Sequence, residues 1–170
     1  FSQIESDRPQ IEVNQRYPLF FSELRPFFLE GQEVFRTQGP ANLLHTRTIV
    51  DPRYGGKLTG KVGKTTIGLL FANDEAPGNV SDLSDPAFGR TAQFLVGRVR
   101  YDMYSESYIG AVVTSRDFLD QHSRVGGFDG NFRFGRTQSV SMSYFQSQHR
   151  DDKGVERSGP GWSLDYNNRG

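Results

Sequence analysis

Phe128-Asp129-Gly130-Asn131-Phe132-Arg133-Phe134 sets an aromatic residue or glycine at every second position and a polar residue between. Gly135-Arg136-Thr137 follows, and Ser139-Val140-Ser141-Met142-Ser143-Tyr144 then resumes the two-residue period. Successive side chains leave opposite sides of a strand. The pleat alone therefore separates Phe128, Phe132, Phe134, Val140, Met142 and Tyr144 from Asp129, Asn131, Arg133 and the serines. The stretch reads as an antiparallel hairpin with one apolar and one polar face.

The same pattern recurs on both sides of it. Residues 57–63 and 66–73 form a hairpin across Lys64-Thr65, with Ile67, Leu69 and Phe71 on one face of the second arm. Residues 91–103 and 107–117 form the next, with Leu95, Gly97, Val99, Tyr101 and Met103 opposed to Arg98, Arg100 and Asp102. Near the end, Trp162, Leu164 and Tyr166 alternate with Ser163, Asp165 and Asn167. These runs of roughly 8 to 13 residues exceed the ~5–6 of ordinary strands and reach the ~9–11 that a tilted strand needs to cross a bilayer. Short turns at 64–65, 104–106 and 135–137 alternate with longer polar loops at 74–90 and 150–159, with the short link 118–121 out of pattern. Short turns at one rim and longer loops at the other are the arrangement of outer-membrane barrels.

Composition removes several classes. The chain has 170 residues, 20 basic and 20 acidic, with 19 Gly, 14 Phe and no Cys. Mean hydropathy is −0.61, and no stretch approaches a helical membrane span. Zero cysteine excludes disulfides and thiolate-bound metals. Aromatic content and balanced charge argue against disorder, and a pI near 7.0 lacks the basic footprint of a nucleic-acid binder. No nucleophile motif or phosphate loop is present, and His45, His122 and His149 share no ligand spacing, so neither catalysis nor a metal or other cofactor is expected. Asp151-Asp152 reads as a solvated loop, and Gly55-Gly56 and Gly126-Gly127 as strand bends or bulges.

A single domain over residues 1–170 is expected: residues 1–50 an opening strand and plug-like segment, residues 51–170 the hairpin repeats. Within the first part, residues 1–14 read as a strand broken by Pro9, and 17–21 as an aromatic run. Pro26 opens a short helix over 27–35 interrupted by Gly31, and 43–50 reads as another strand. The absence of an initiator Met and the strand-like residues near the end read as a piece of a longer protein.

The alternation fits two opposite objects. In a soluble sandwich or lipocalin-like barrel the apolar face forms the core. In a membrane barrel it meets lipid, and the polar face lines the interior. Strand length favours the second. So do the charged and hydroxyl faces (Arg98, Arg100, Asp129, Arg133 and the Ser139, Ser141, Ser143 row), which need a wet lumen. Tyr101, Tyr108, Phe118, Trp162 and Tyr166, near expected strand ends, add an aromatic girdle. The expected fold is all-β: an antiparallel up-and-down transmembrane β-barrel with a short helical, plug-like segment. The part present has about seven to nine strands, and an incomplete ring needs further strands to cover its bare edge.

On this reading Phe128, Phe132, Phe134, Val140, Met142, Tyr144 and Trp162 face lipid. Arg25, Glu30, Arg47, Arg53, Lys57, Lys61, Asp129 and Arg133 belong to the lumen or plug. Lys57 and Lys61, flanking Thr59 on one face, either line a pore wall that favours anions or are neutralised by Glu30, Glu33 or Asp129.

Arg25-Pro26-Phe27-Phe28-Leu29-Glu30-Gly31, followed by Phe35, is more specific than these patterns. With Phe1-Ser2-Gln3-Ile4-Glu5-Ser6-Asp7, Arg16-Tyr17-Pro18-Leu19-Phe20-Phe21, Thr46-Arg47-Thr48-Ile49 and Tyr54-Gly55-Gly56-Lys57-Leu58-Thr59-Gly60-Lys61, it resembles a family of uncharacterised bacterial outer-membrane barrels. Members of that family carry a carbohydrate-binding-module family-nine-like domain upstream of a barrel domain of unknown function. The resemblance spans nearly the whole chain and is strongest over residues 1–61. It implies an outer-membrane location, the lipid bilayer as partner, and carbohydrate contact only through an upstream domain absent here. It carries over no catalytic residue. The functions expected are a channel, transporter or surface scaffold. The alternatives are the anchor of a carbohydrate-binding or carbohydrate-active protein, and a soluble β binding module.

Overall fold

Seven antiparallel strands form one meander, each hydrogen-bonded to its neighbours in sequence. They are β1 (Pro52–Val62), β2 (Thr65–Asp74), β3 (Ala92–Asp102), β4 (Tyr108–Phe118), β5 (Gln121–Phe134), β6 (Gln138–Arg150) and β7 (Glu156–Asn168). The computed structural model describes residues 23, 25–39, 46–104 and 106–169, the Arg47 side chain excepted. The strand expected over 1–14, the aromatic run 17–21 and the first part of 43–50 lie outside the described residues.

The hairpin pattern found in the sequence is the pattern of the sheet. Gly63-Lys64 closes β1–β2 one residue earlier than the alternation places it, because Gly63 takes the φ of +59° that the turn demands. The turns at 63–64, 103–107 and 135–137 share one rim, here the first rim; 75–91, 119–120 and 151–155 share the second. The longer loop expected at 150–159 contracts to 151–155. Asp151 Oδ1 accepts from the backbone N–H groups of Lys153 and Val155, turning the chain early and releasing Glu156–Gly159 into β7. Among the described residues, 75–91 is the only long inter-strand link.

The segment before β1 lies across one face of the sheet, called here the strapped face. Pro26 starts a one-turn helix, α1 (Pro26–Leu29). Gly31, at φ +66°, breaks it from a 3-10 turn over Gln32–Phe35, so the expected helix over 27–35 is two single turns. Residues 46–50 are not the expected strand. Thr46–Thr48 is a 3-10 turn, and the N–H groups of Val50 and Asp51 donate to the Asp74 carboxylate instead of to a ladder. Phe28, Phe35 and Ile49 from this segment are buried on Leu70, Ala72, Ala92, Phe94, Val96 and Phe118 of the strapped face. No described segment covers the other, open face. The sheet is not closed: β1 and β7 each have one paired neighbour.

Candidate functional site

The open face carries an apolar band on every strand. Leu58 and Val62 stand on β1, Ile67, Leu69 and Phe71 on β2, and Leu95, Val99 and Tyr101 on β3. Ile109 and Val113 follow on β4, Phe128 and Phe134 on β5, Met142 and Tyr144 on β6, and Trp162, Leu164 and Tyr166 on β7. The band does not fade toward the edges: Val62 on β1 is 78% exposed and Trp162 on β7 is 76% exposed. An edge strand built to end a soluble sheet carries charge, proline or a bulge instead. Here β1 has a bulge at Pro52/Tyr54 with Arg53, Lys57 and Lys61, and β7 has Pro160 with Glu156, Arg157 and Asp165, yet the apolar band of the open face still reaches both edges.

The band also runs obliquely to the pairing. The register takes Leu69, the middle of the apolar run on β2, through Gly97, Val113, Gly126 and Gln146 to Pro160. The middle of the run on β7 is Leu164, four residues further along. Four residues at ~3.4 Å over five strand spacings at ~4.8 Å incline the band by about 30°. A flat slab of lipid crossing tilted strands leaves such an oblique trace, and barrel strands tilt by ~35–45°. The runs extend about 7–20 Å along the strands, or about 6–18 Å along a normal inclined by 30°, shorter than the ~25 Å of a barrel's apolar band. Beyond the band, toward the second rim, the open face of β4–β7 turns polar, with Asp117 ion-paired to Arg124 at 2.9 Å and Gln146, Gln148 and Arg150 in line.

The strapped face is half apolar, under Phe28 and Phe35, and half polar. Its polar centre is Arg98, which reaches from β3 across Gly110 of β4 to Asp129 of β5. A Cβ on Gly110 would stand 2.7 Å from the Arg98 guanidinium, so this crossing needs glycine. Both charged side chains are 0% exposed. Asp129 also accepts from Tyr108 Oη at 3.3 Å and from the Gln38 backbone N–H at 2.8 Å, which ties the strap to the sheet.

Other ties hold the strap along its course. Gly31 lies over Thr59 of β1, and Phe35 and Val34 sit on Gly68 of β2, where a Cβ would come within 2.7 Å of Val34. Gly39 lies over Ser143 of β6 and Ser163 of β7, whose hydroxyls are hydrogen-bonded to each other at 2.8 Å. The strap thus crosses the face from β1 to β7. At its start Glu23 is held by Arg25 (2.8 Å) and by the Thr46 hydroxyl (2.6 Å). Burial alone would push the Glu23 carboxyl up. The Arg25 and Thr46 hydrogen bonds and the Arg25 charge outweigh it and hold the group at about 2.

The residues expected in the lumen or plug are dispersed over this face and its rims. Arg25 donates to the carbonyls of Ile49 and Thr46, joining the strap to the turn before β1, and its guanidinium lies 4.3 Å from the Phe28 ring centroid. Lys57 and Lys61 flank Thr59 on the strapped face, but the carboxylates expected to neutralise them do not. Lys57 donates to the backbone carbonyls of Phe27 and Glu30, because the strap lies directly over it, and Lys61 pairs with Asp102 at 2.6 Å. Glu30 therefore contributes its carbonyl, and Asp129 serves Arg98. Arg133 pairs with Glu106 at the first rim, and Arg53 with Glu75 at the second. Arg47 lies within the 46–48 turn.

All seven residues expected to face lipid lie on the open face, since their register partners carry the band. Phe128 and Tyr144 stack there with centroids 5.5 Å apart. The expected girdle is revised. Tyr108 and Phe118 are buried on the strapped face, and Trp162 is at the middle of β7. Tyr101 and Tyr166 remain on the open face toward the first rim. The Arg98–Asp129 bond escaped the sequence reading because no spacing rule joins residues 31 apart on non-adjacent strands. The one signal was a glycine, Gly110, on the strand between them.

No family model, curated protein or solved structure matches this chain. Among the described residues no group of three or more His, Asp or Glu is placed to hold a metal ion, and no helix is long and apolar enough to cross a membrane. The second statement does not bear on strands.

Proposed function

We propose that this chain is a wall segment of a bacterial outer-membrane β-barrel that acts as a channel or transporter, without catalysis of its own, and whose lumen carries the strap. The observation that carries this reading is the oblique apolar band left open on one face, while the chain spends its own strap on the face that holds the buried ion pair. A soluble domain does the reverse and covers its most apolar face. In the meander β1 and β7 point the same way, so an antiparallel ring closes only with an odd number of further strands, in keeping with the even counts of bacterial barrels. The long loop 75–91 supports reading the second rim as the outer side and the first rim, which has only short turns, as the periplasmic one.

The strap favours one second reading. A segment tied to β1, β2, β5, β6 and β7 narrows any passage, which suits a scaffold or membrane anchor, including the anchor of a carbohydrate-binding protein, as well as a gated channel. Purification with and without detergent tests the membrane assignment, and conductance in planar bilayers separates the two membrane roles. A chain monodisperse without detergent overturns the membrane assignment. Insertion with no conductance selects the anchor.

A further inference from the structure

We propose that the cavity beside Arg116 is a binding site for a small organic anion, a carboxylate borne on an apolar body. The cavity, about 230 Å³, lies on the strapped face between the 46–49 turn and strands β3–β5. Ile49, Phe94, Val96 and Val125 form its apolar lining, and Thr114, Arg116 and Ser123 supply polar groups. The Arg116 guanidinium lies 5.5 Å from the Phe94 ring centroid and has no carboxylate partner among the described residues. Arg25, Arg53, Arg98, Arg100, Arg124 and Arg133 are ion-paired; of the described arginines without an ion pair, Arg116 is the one that lines this cavity. The acid that touches the lining, Glu23, bonds the Thr46 hydroxyl and is already held by Arg25.

Apart from Glu23, which Arg25 already balances, the charge along the row of Arg116 has one sign. Its register row across the strapped face runs Gly55, Ala72, Phe94, Arg116, Ser123, His149 and Arg157, with no carboxylate in it. A guanidinium set against an aromatic ring keeps its planar fork free for a bidentate carboxylate. The hydroxyls of Thr114 and Ser123 are uncommitted donors within the same lining. The apolar walls exclude a fully hydrated inorganic anion and reward an organic body. Lys57 is taken up by the carbonyls of Phe27 and Glu30 and Lys61 by Asp102, whereas Arg116 is left to meet an anion.

As a solute site this rests on the lumen assignment of the strapped face. The cavity itself does not, so binding is measured apart from insertion and conductance. The probe is benzoate, titrated into the full chain in detergent micelles by calorimetry, with neutral benzamide and inorganic phosphate as comparators. Saturable benzoate binding is expected, about tenfold or more weaker for benzamide and for Arg116→Gln, with no competition by phosphate. Thr114→Val with Ser123→Ala serves as a second variant if Arg116→Gln does not fold, and should weaken benzoate severalfold. Absence of saturable binding, equal affinity for benzoate and benzamide, displacement by phosphate, or affinity unchanged in the variants overturns the site. Benzoate binding by a chain that needs no detergent supports the site and overturns the membrane reading alone.

Discussion

Asp129→Asn keeps the volume of the side chain and one oxygen able to accept from Gln38, and removes the charge. Arg98 then remains fully buried between β3 and β5 with nothing to balance it. Breaking one partner of a buried pair costs about 3–5 kcal/mol, two to nearly four decades in the folding equilibrium. Urea unfolding of the reconstituted protein, followed by the fluorescence of its single tryptophan, measures this. The double variant Arg98→Met with Asp129→Leu separates lost attraction from stranded charge. Replacing a buried pair by apolar residues is neutral to favourable by ~1–4 kcal/mol, and the orphaned Tyr108 hydroxyl and Gln38 N–H return about 1–3 kcal/mol each. The double variant is therefore expected to be more stable than Asp129→Asn. A cost under about 1 kcal/mol for Asp129→Asn, or a double variant worse than the single, refutes the picture of a dry, mutually dependent pair.

Glycine substitutions should divide by face: Gly110→Ala against Arg98 and Gly68→Ala against Val34 and Phe35 should each cost about 1–3 kcal/mol by overpacking, whereas Gly60→Ala and Gly126→Ala meet open space and should cost little by the same urea assay. Phe128→Arg, in the band, should cost ~2–4 kcal/mol in a bilayer, and a cost indistinguishable from zero removes Phe128 from the lipid face. The Glu23 carboxyl, depressed from 4.5 to about 2, contributes stability that is full above the ordinary value and lost as pH falls through about 2. Carbon-13 NMR of that carboxyl should titrate near 2 and move upward in Thr46→Ala; an ordinary midpoint in the native chain contradicts the tie.

The strands are readable in the sequence wherever one face is apolar. Phe128 to Phe134 and Trp162 to Tyr166 alternate cleanly and lie where that alternation puts them. The first residues of β5 (Gln121, His122, Ser123, Arg124) and of β7 (Glu156, Arg157, Ser158, Gly159) do not alternate, because both faces are polar beyond the oblique band. Gln121 and residues 156–159 read as link or loop and fold as strand, and residues 122–124, which carry no alternation to read, fold as strand as well. Of the strand expected over 43–50, the described part, 46–50, is not a strand for another reason. Side chains distant in sequence, Arg25 and Asp74, claim the backbone groups of Thr46, Ile49, Val50 and Asp51. Tyr108 and Phe118 were misplaced because an aromatic near a strand end carries no mark of the face it takes; only the phase of β4 decides, and β4 begins with Tyr108. The partners of Lys57 and Lys61 depend on where the strap lies, which local pattern does not contain.

Trp162 gives the central assignment a direct probe, since it is the only tryptophan, at mid-strand on β7, in the open band and 76% exposed. In vesicles carrying lipids brominated along the acyl chain, its emission should be blue-shifted and strongly quenched, and aqueous iodide should have little effect. Red-shifted emission quenched by iodide, and untouched by bromine in the acyl chains, places the band in water or against protein and contradicts a lipid-facing sheet.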